Sequence, residues 1–171
     1  MGSGKSTVGR GLADALNLQF LDLDSYIEER NFKSIPEILA SLGEDGFRKL
    51  EQKALHEVSE FENIVIATGG GAPCFFDNIE LIKRTGKSIY LNGTPRILAE
   101  RLLQSKTERP LIKGKTEAEL IAFIDETLAK RSTWYKQADV VLDFDHDLTI
   151  SEVQQALKAN SNQQSNSPEA S

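Results

Sequence analysis

Cysteine and long apolar runs are almost absent from this chain of 171 residues. Cys74 is the only cysteine, so no disulfide can form within the chain, and a reducing compartment is the simpler expectation. No apolar run approaches the roughly 20 residues that a membrane-spanning helix needs. The first residues are small, polar and basic, unlike the apolar segment of a secretory signal. We therefore expect a cytoplasmic protein without a membrane partner.

An excess of positive charge is missing as well. Lys and Arg number 20 against 26 Asp and Glu, which gives a net charge of −6. That balance provides no electrostatic footprint for nucleic acid, so we expect no nucleic-acid partner. Hydrophobic residues make up 39% and charged residues 27% of the chain, which is ordinary for a globular protein. The length suits one domain that buries its own core.

Short apolar segments alternate with helical patterns along the chain, which predicts an α/β fold with a mainly parallel sheet. The predicted strands lie near 19–23, 64–67, 88–91 and 140–144. The apolar periodicity predicts helices over 5–16, from 26, over 34–42, 46–59, 77–84, 95–104, 117–137 and 151–157.

Two polar segments fall outside this alternation. Residues 105–116 are basic and broken by Pro110 and Gly114, which is typical of a mobile lid between helices. Residues 159–171 are of low complexity and contain too few apolar groups to offset the entropy of ordering. We predict a functional domain over 1–158, with a disordered tail after it.

The chain opens MGSGKSTVGR, which contains the closing part of the phosphate-binding signature G-x-x-x-x-G-K-S/T. Glycines let backbone N–H groups surround phosphate oxygens at the start of the following helix. Lys5 supplies a positive charge for the β- and γ-phosphates, and the Ser6 hydroxyl can bind Mg²⁺. The alternative is a glycine-rich tag remnant. The predicted phosphate loop comprises Gly2, Ser3, Gly4, Lys5, Ser6 and Thr7.

Two carboxylates lie at the end of the first predicted strand. Asp22 and Asp24 are two residues apart, so their side chains project on one side of an extended segment. Asp22 could support a metal through water, and Asp24 could accept a proton from a substrate hydroxyl. The alternative for Asp24 is an N-cap of the next helix, which is the commoner role for such a residue.

Two further motifs are candidates for substrate binding. Arg48 and Glu51 share one helix face, and an arginine held by a carboxylate could clamp an anionic group. As an isolated pair they would more often form a solvated surface ion pair. Thr68 is followed by three glycines, which would let a ligand approach the backbone around Gly70 closely.

Two more arginines are candidates for anion binding. Arg109 lies in the predicted lid and could reach the transferring phosphate when the lid closes. Its alternative is a basic surface turn. Arg131 lies on the long predicted helix and could provide a second anion contact, the alternative being an ordinary exposed helical arginine.

The ordered set of motifs resembles the shikimate kinase family over residues 1 to about 157. It comprises G-S-G-K-S-T, D-L-D-x-Y-I-E, F-R-x-x-E, T-G-G-G-A-P, R-P-L and R-x-x-x-Y-x-x-A-D. The resemblance implies a P-loop kinase fold, a three-layer parallel sheet flanked by helices. It also implies transfer of the γ-phosphoryl group of ATP to the 3-hydroxyl of shikimate with Mg²⁺, by a monomer.

The resemblance also implies a role for each candidate residue. On the nucleotide side, Gly2 to Thr7 match the ATP-phosphate loop, Ser6 and Asp22 the Mg²⁺ site, and Arg109 the lid arginine on the phosphates. Lys5 and Arg109 would neutralise charge on the transferred group.

On the substrate side, Asp24 matches the contact to the shikimate hydroxyl and the base. Arg48 and Arg131 match the arginines that hold the shikimate carboxylate, and Gly70 matches a backbone contact to the substrate. Glu51 matches the residue that orients Arg48.

The chain departs from the family at its N-terminus. Family members have an apolar central strand and the first loop glycine before the residue matching Met1, so we expect about ten residues and the first strand to be missing, with a gap in the sheet. Two alternatives to the shikimate kinase activity remain. One is a related small-molecule kinase such as a gluconate kinase, and the other is a nucleotide-binding fragment without catalysis.

Overall fold

The computed structural model describes residues 2–105 and 114–165, with side chains described as far as Asn162. The chain divides into a first unit, Lys5–Ser88, and a second unit, Met1–Gly4 with Ile89–Ser171. The helices are α1 (Lys5–Leu16), α2 (Leu23–Asn31), α3 (Ile35–Ser59), α4 (Asn78–Thr85), α5 (Pro95–Gln104), α6 (Glu117–Tyr135) and α7 (Ile150–Ser165). The strands are β1 (Gln19–Asp22), β2 (Ile64–Ala67), β3 (Ile89–Gly93) and β4 (Val140–Phe144).

The first unit is built on a parallel pair of strands. β1 and β2 run in register from Gln19 opposite Ile64 to Asp22 opposite Ala67. The strands therefore end side by side, and the residues after each strand meet at one edge. The core packs helices α2, α3 and α4 with the turn after β2 through Leu23, Ile27, Ile38, Phe47, Ala54, Leu55, Val58, Ala72 and Leu81.

Helix α3 contains a break at Gly43, where the backbone has φ 69° and ψ −178°. The positive φ suits glycine, which has no Cβ to clash. The sequence predicted two helices joined around this glycine, and the break confirms that division. The second helical segment starts immediately after it and carries both Arg48 and Glu51.

The second unit contains the parallel strands β3 and β4, paired from Ile89 opposite Val140 to Gly93 opposite Phe144. Its core packs α5 and α6 through Leu98, Ala99, Leu102, Leu120, Ile124 and Phe144. Thr94 caps α5 by accepting a hydrogen bond from the backbone N–H of Ile97 at 3.4 Å. Pro95 occupies the first turn of α5, as predicted.

The alternation of strands with helices is confirmed, and the strands form two parallel pairs. Within the described ranges, the strands form two separate two-stranded sheets, β1–β2 and β3–β4, where the sequence predicted one sheet with a gap. A short 3₁₀ turn at Ala72–Cys74 was not predicted. None of the described helices is long and apolar enough to cross a membrane.

Helix α7 continues to Ser165, whereas the sequence predicted a disordered tail from residue 159. Asn160 accounts for the difference, because its Nδ2 donates a hydrogen bond to the Asp139 carbonyl at 2.7 Å and anchors the extra turns. The rest of the predicted tail, 166–171, lies outside the described residues.

Candidate active site

Lys5 and Ser6, the predicted phosphate and metal residues, both contact Asp22. Both lie in the first turn of α1, and Asp22 ends β1. Lys5 Nζ is 3.1 Å from Asp22 Oδ2, and the Ser6 hydroxyl donates to the same oxygen at 2.7 Å. Burial raises the pKa of Asp22, but the hydrogen bonds from Ser6 and Lys5 lower this pKa by more. Asp22 therefore stays ionised at neutral pH.

Asp22 is also the N-cap of α2, with its Oδ1 accepting a hydrogen bond from the Asp24 backbone N–H at 3.1 Å. The alternative in which Asp24 caps this helix is wrong. The helix begins at Leu23, one residue before Asp24. Asp24 therefore lies in the first turn, and its side chain does not cap the helix.

The Asp24 carboxylate lies between two groups of candidate residues. On one side Oδ2 is 3.9 Å from Lys5 Nζ. On the other, a Cβ built on Gly69 would be 2.9 Å from Asp24 Oδ1 and 3.2 Å from Glu51 Oε1. The Asp24 side chain is 38% exposed, and its partial burial raises the pKa of the carboxyl, with the charges of Asp22 and Glu28 adding to the effect.

Arg48 and Glu51 form a buried ion pair rather than the solvated surface pair of the alternative interpretation. Arg48 Nη1 donates to Glu51 Oε2 at 2.7 Å, and the two side chains are 13% and 1% exposed. The guanidinium also lies over the Phe75 ring, with Cζ 4.1 Å from its centroid. Arg48 Nε is buried and has no hydrogen-bond partner among the described residues. This unmet donor fits an anionic ligand.

The glycine loop after β2 approaches these side chains closely. A Cβ built on Gly71 would lie 2.6 Å from Arg48 Nη1 and 2.7 Å from Nη2, so a side chain there would displace the guanidinium. Gly69 and Gly71 are buried, whereas Gly70 is exposed between them. The predicted backbone contact of Gly70 to a substrate stays a prediction. The sequence signal T-G-G-G contained Gly69 and Gly71, but their contacts with Asp24 and Arg48 could not be read from it.

The start of the phosphate loop is held by Arg101, a residue that sequence reasoning did not include in the site. Nη1 donates to the carbonyls of Gly2 at 3.4 Å and Ser3 at 3.2 Å. Nη2 donates to the His146 carbonyl at 3.1 Å and to Asp147 Oδ1 at 2.7 Å. The resemblance to the family indicated Arg101 only as a neighbour of the adenine, with a spacing to Arg109 that did not establish the match.

The two loop glycines have left-handed backbones, with φ 71° at Gly2 and 77° at Gly4, and this conformation favours glycine. A Cβ on Gly2 would also lie 2.8 Å from the Leu98 carbonyl oxygen. The left-handed backbone and this close approach explain why glycine occupies these positions, whereas a tag remnant would not require glycine there. Thr7 is exposed in the first turn of α1.

Arg131 lies on α6 in the second unit, where it is half-buried rather than exposed. Its Nη1 donates to the Tyr135 hydroxyl at 3.4 Å. The Tyr135 ring packs on that of Tyr90, with centroids 4.7 Å apart. Burial, with Tyr135 and Asp143 nearby, raises the pKa of Tyr90 to about 12, so this tyrosine stays neutral. Arg109 lies outside the described residues.

The Ser6 hydroxyl and Asp22 carboxylate are suitable Mg²⁺ ligands, because this ion prefers oxygen and takes only one or two carboxylates besides phosphates and water. Their direct contact puts both oxygens at one point, which fits a magnesium site. Among the residues in 2–105 and 114–165, no group of three or more His, Cys, Asp or Glu side chains is arranged to hold a metal ion.

Comparison with known proteins identifies the family. The shikimate kinase family model matches residues 1–160. The shikimate kinase of Bacteroides thetaiotaomicron is 51% identical over 145 residues, covering 85% of this chain and 83% of that protein. The shikimate kinase of Parabacteroides distasonis is 48% identical over 153 residues, covering 90% of this chain and 88% of that protein.

Two solved structures have the same fold. The crystal structure of the B. thetaiotaomicron shikimate kinase has a TM-score of 0.85 and 45% identity, covering 96% of this chain and 94% of that chain. Shikimate kinase from Acinetobacter baumannii in complex with shikimate has a TM-score of 0.77 and 32% identity, covering 97% of this chain and 89% of that chain. The predicted P-loop kinase fold is thereby confirmed, and the chain belongs to the shikimate kinase family.

Proposed function

We propose that this protein phosphorylates the 3-hydroxyl of shikimate with ATP, giving shikimate 3-phosphate and ADP. The observation that carries the proposal is the position of Asp24. Its carboxylate is 3.9 Å from Lys5 of the phosphate loop. Like the carboxylate of Glu51, it also lies beside Gly69. A kinase requires such a group between the phosphoryl donor and the acceptor.

Arg48 supplies the anion contact for the acceptor. Its guanidinium is fixed by the buried Glu51 and by the Phe75 ring, and its Nε lacks a partner among the described side chains. A planar carboxylate is the group that an arginine edge recognises best. Arg131 would provide the second contact to the shikimate carboxylate, and Gly70 a backbone contact.

Phosphoryl transfer would proceed by positioning and charge neutralisation. The shikimate oxygen forms the new bond to the γ-phosphorus, the bond from that phosphorus to the β–γ bridging oxygen breaks, and Asp24 accepts the hydroxyl proton. The raised pKa of Asp24 suits a proton acceptor. Lys5 and the lid residue Arg109 would stabilise the charge on the transferred group.

Mg²⁺ is the proposed cofactor, held by Ser6 and, through water, by Asp22. Bound there it would supply positive charge against the ATP phosphates. The backbone N–H groups of the phosphate loop, Gly2 to Thr7, would bind the phosphate oxygens. We further propose that the enzyme acts as a monomer in the cytoplasm.

The test is ADP release from ATP by this chain, with and without shikimate, across a magnesium titration. Gluconate serves as the comparison acceptor, and Lys5→Met serves as the control for contaminating kinases because it removes the loop cation. ADP release that depends on shikimate and on Lys5 supports the proposal. Release that depends on gluconate would replace it with the related kinase, and ATP binding without acceptor-dependent release would identify a non-catalytic module.

A further inference from the structure

Arg48 already holds a second carboxylate at the edge where a ligand would bind. Its Nη2 donates to Glu44 Oε1 at 3.2 Å, one helical turn earlier in α3. Nη2 and the unpartnered Nε form one edge of the guanidinium, and a bidentate carboxylate would use both donors. Glu44 therefore occupies half of the edge that an anionic substrate requires.

The two carboxylates on Arg48 are held very differently. Glu51 is 1% exposed and fixed by burial, whereas the Glu44 side chain is 65% exposed. An exposed ion pair between residues one helical turn apart changes the equilibrium between its formed and broken states by about fivefold at most. Glu44 can consequently leave Arg48 at small cost while Glu51 stays in contact.

The backbone before Glu44 also favours its release. Gly43 interrupts α3 immediately before Glu44 with its non-helical φ of 69°. A Cβ on Gly43 would meet nothing within 4 Å, so the surrounding space does not restrict this position. Glu44 thus lies at the start of a helical segment. The first turn of that segment can change conformation while the later turns, which carry Arg48 and Glu51, stay helical.

We propose that Glu44 is an intramolecular competitor for the substrate carboxylate. It occupies Arg48 when the site is empty and is displaced when a carboxylate binds, because two anions at one guanidinium edge repel each other. A ligand that reaches both Nε and Nη2 makes two contacts against the single contact of Glu44 and displaces it, so Glu44 weakens the binding of such carboxylates. The inference rests on the proposed function, which supplies a substrate with one carboxylate.

The experiment follows the Arg48 side-chain N–H signals by NMR in the full ¹⁵N-labelled chain during titration with shikimate and, separately, with acetate. Wild type is compared with Glu44→Gln, which keeps the shape and removes the charge. Asp45→Asn is the matched control, since Asp45 is exposed next to Glu44 and its loss changes the net charge equally. We expect Glu44→Gln to strengthen binding of both carboxylates about two- to fivefold, and Asp45→Asn to change it less.

Unchanged or weaker acetate binding in Glu44→Gln overturns the inference, as does the absence of any carboxylate-induced change at Arg48 in both chains. An equal gain in Asp45→Asn also overturns it, because the effect would then come from net charge. If acetate binding strengthens as expected but shikimate binds no better than acetate, the competitor role stands and the proposed substrate fails.

Discussion

The guanidinium of Arg48 lies against the backbone of Gly71 so closely that a Cβ there would be 2.6 Å from Nη1. We predict that Gly71→Ala displaces Arg48 and raises KM for shikimate about tenfold or more, since a charged hydrogen bond contributes about 1.5–3 kcal/mol. Steady-state kinetics at saturating ATP measure the effect.

Gly86→Ala is the matched control for this substitution. It makes the same chemical change in the same unit, at an exposed position where a Cβ would meet nothing within 4 Å. An unchanged KM in Gly71→Ala would show that the guanidinium does not need this approach to bind the substrate.

We expect the Asp24 carboxylate to increase activity but to decrease stability at neutral pH. Partial burial raises the pKa of Asp24 above 3.8. Between pH 3.8 and this raised pKa, the native state keeps a proton that the unfolded state has lost, so wild-type stability falls as the pH rises through that range. We therefore expect Asp24→Asn to unfold at a higher urea concentration at neutral pH, with no difference well below pH 3.8. Its kcat should fall about 10²- to 10⁴-fold through loss of the proton acceptor.

Asp22→Asn provides the contrast two residues away. The pKa of Asp22 is lowered below 3.8, so its contribution to stability is present above that value and is lost as the pH falls through the lowered pKa. This variant should be less stable than wild type at neutral pH. Shifts of the same sign in both variants would contradict the opposite environments of the two carboxyls.

Arg101 should act on phosphate binding through the loop backbone. Since its described hydrogen bonds are to the carbonyls of Gly2, Ser3 and His146 and to Asp147, Arg101→Ala should loosen the loop. We expect affinity for ATP and for inorganic tripolyphosphate to fall by the same factor, about tenfold, in calorimetric titrations.

Arg96→Ala is the control, because Arg96 lies on the same helix, is exposed, and forms an ion pair with Glu100 one turn away. Loss of ATP affinity with unchanged tripolyphosphate affinity in Arg101→Ala would instead indicate contact with the nucleoside part of ATP.

Phe32 should lower the stability of the fold. It ends α2 with a left-handed backbone, φ 52°, and is 95% exposed. We predict that Phe32→Gly stabilises the protein by about 0.5–1 kcal/mol, because glycine adopts this conformation without strain. Phe32→Ala removes the ring but keeps the Cβ, so urea unfolding should show no such gain. An equal gain from alanine would assign the effect to the exposed ring.

Much of the fold could be predicted because local signals agree with the packing. The bounds of α1, β2, α5 and β4 follow from apolar periodicity and from the Thr94–Pro95 start of α5. The end of α7 could not be predicted from composition, because its last turns depend on the contact of Asn160 with Asp139, 21 residues away.

The site was predictable where its residues belong to ordered motifs, as with Lys5, Asp22 and Arg48. The alternative in which Asp24 caps α2 was wrong because the helix begins two residues earlier than that cap would allow, a difference that propensity does not resolve. The contacts of Arg101 with Gly2 and Ser3 could not be predicted, because they join residues 99 and 98 positions apart. Such contacts are set by tertiary packing rather than by local pattern.

The buried contact of Arg48 with Glu51 also restricts how this enzyme can evolve. Loss of Arg48 would leave the Glu51 carboxylate buried without that cation, a change that typically costs about 3–5 kcal/mol in folding stability. Under the proposed function, a mutation of Arg48 that removes carboxylate recognition therefore also destabilises the fold. Under that function, a switch to a neutral acceptor would require both residues to change together, so the ion pair ties substrate preference to folding stability.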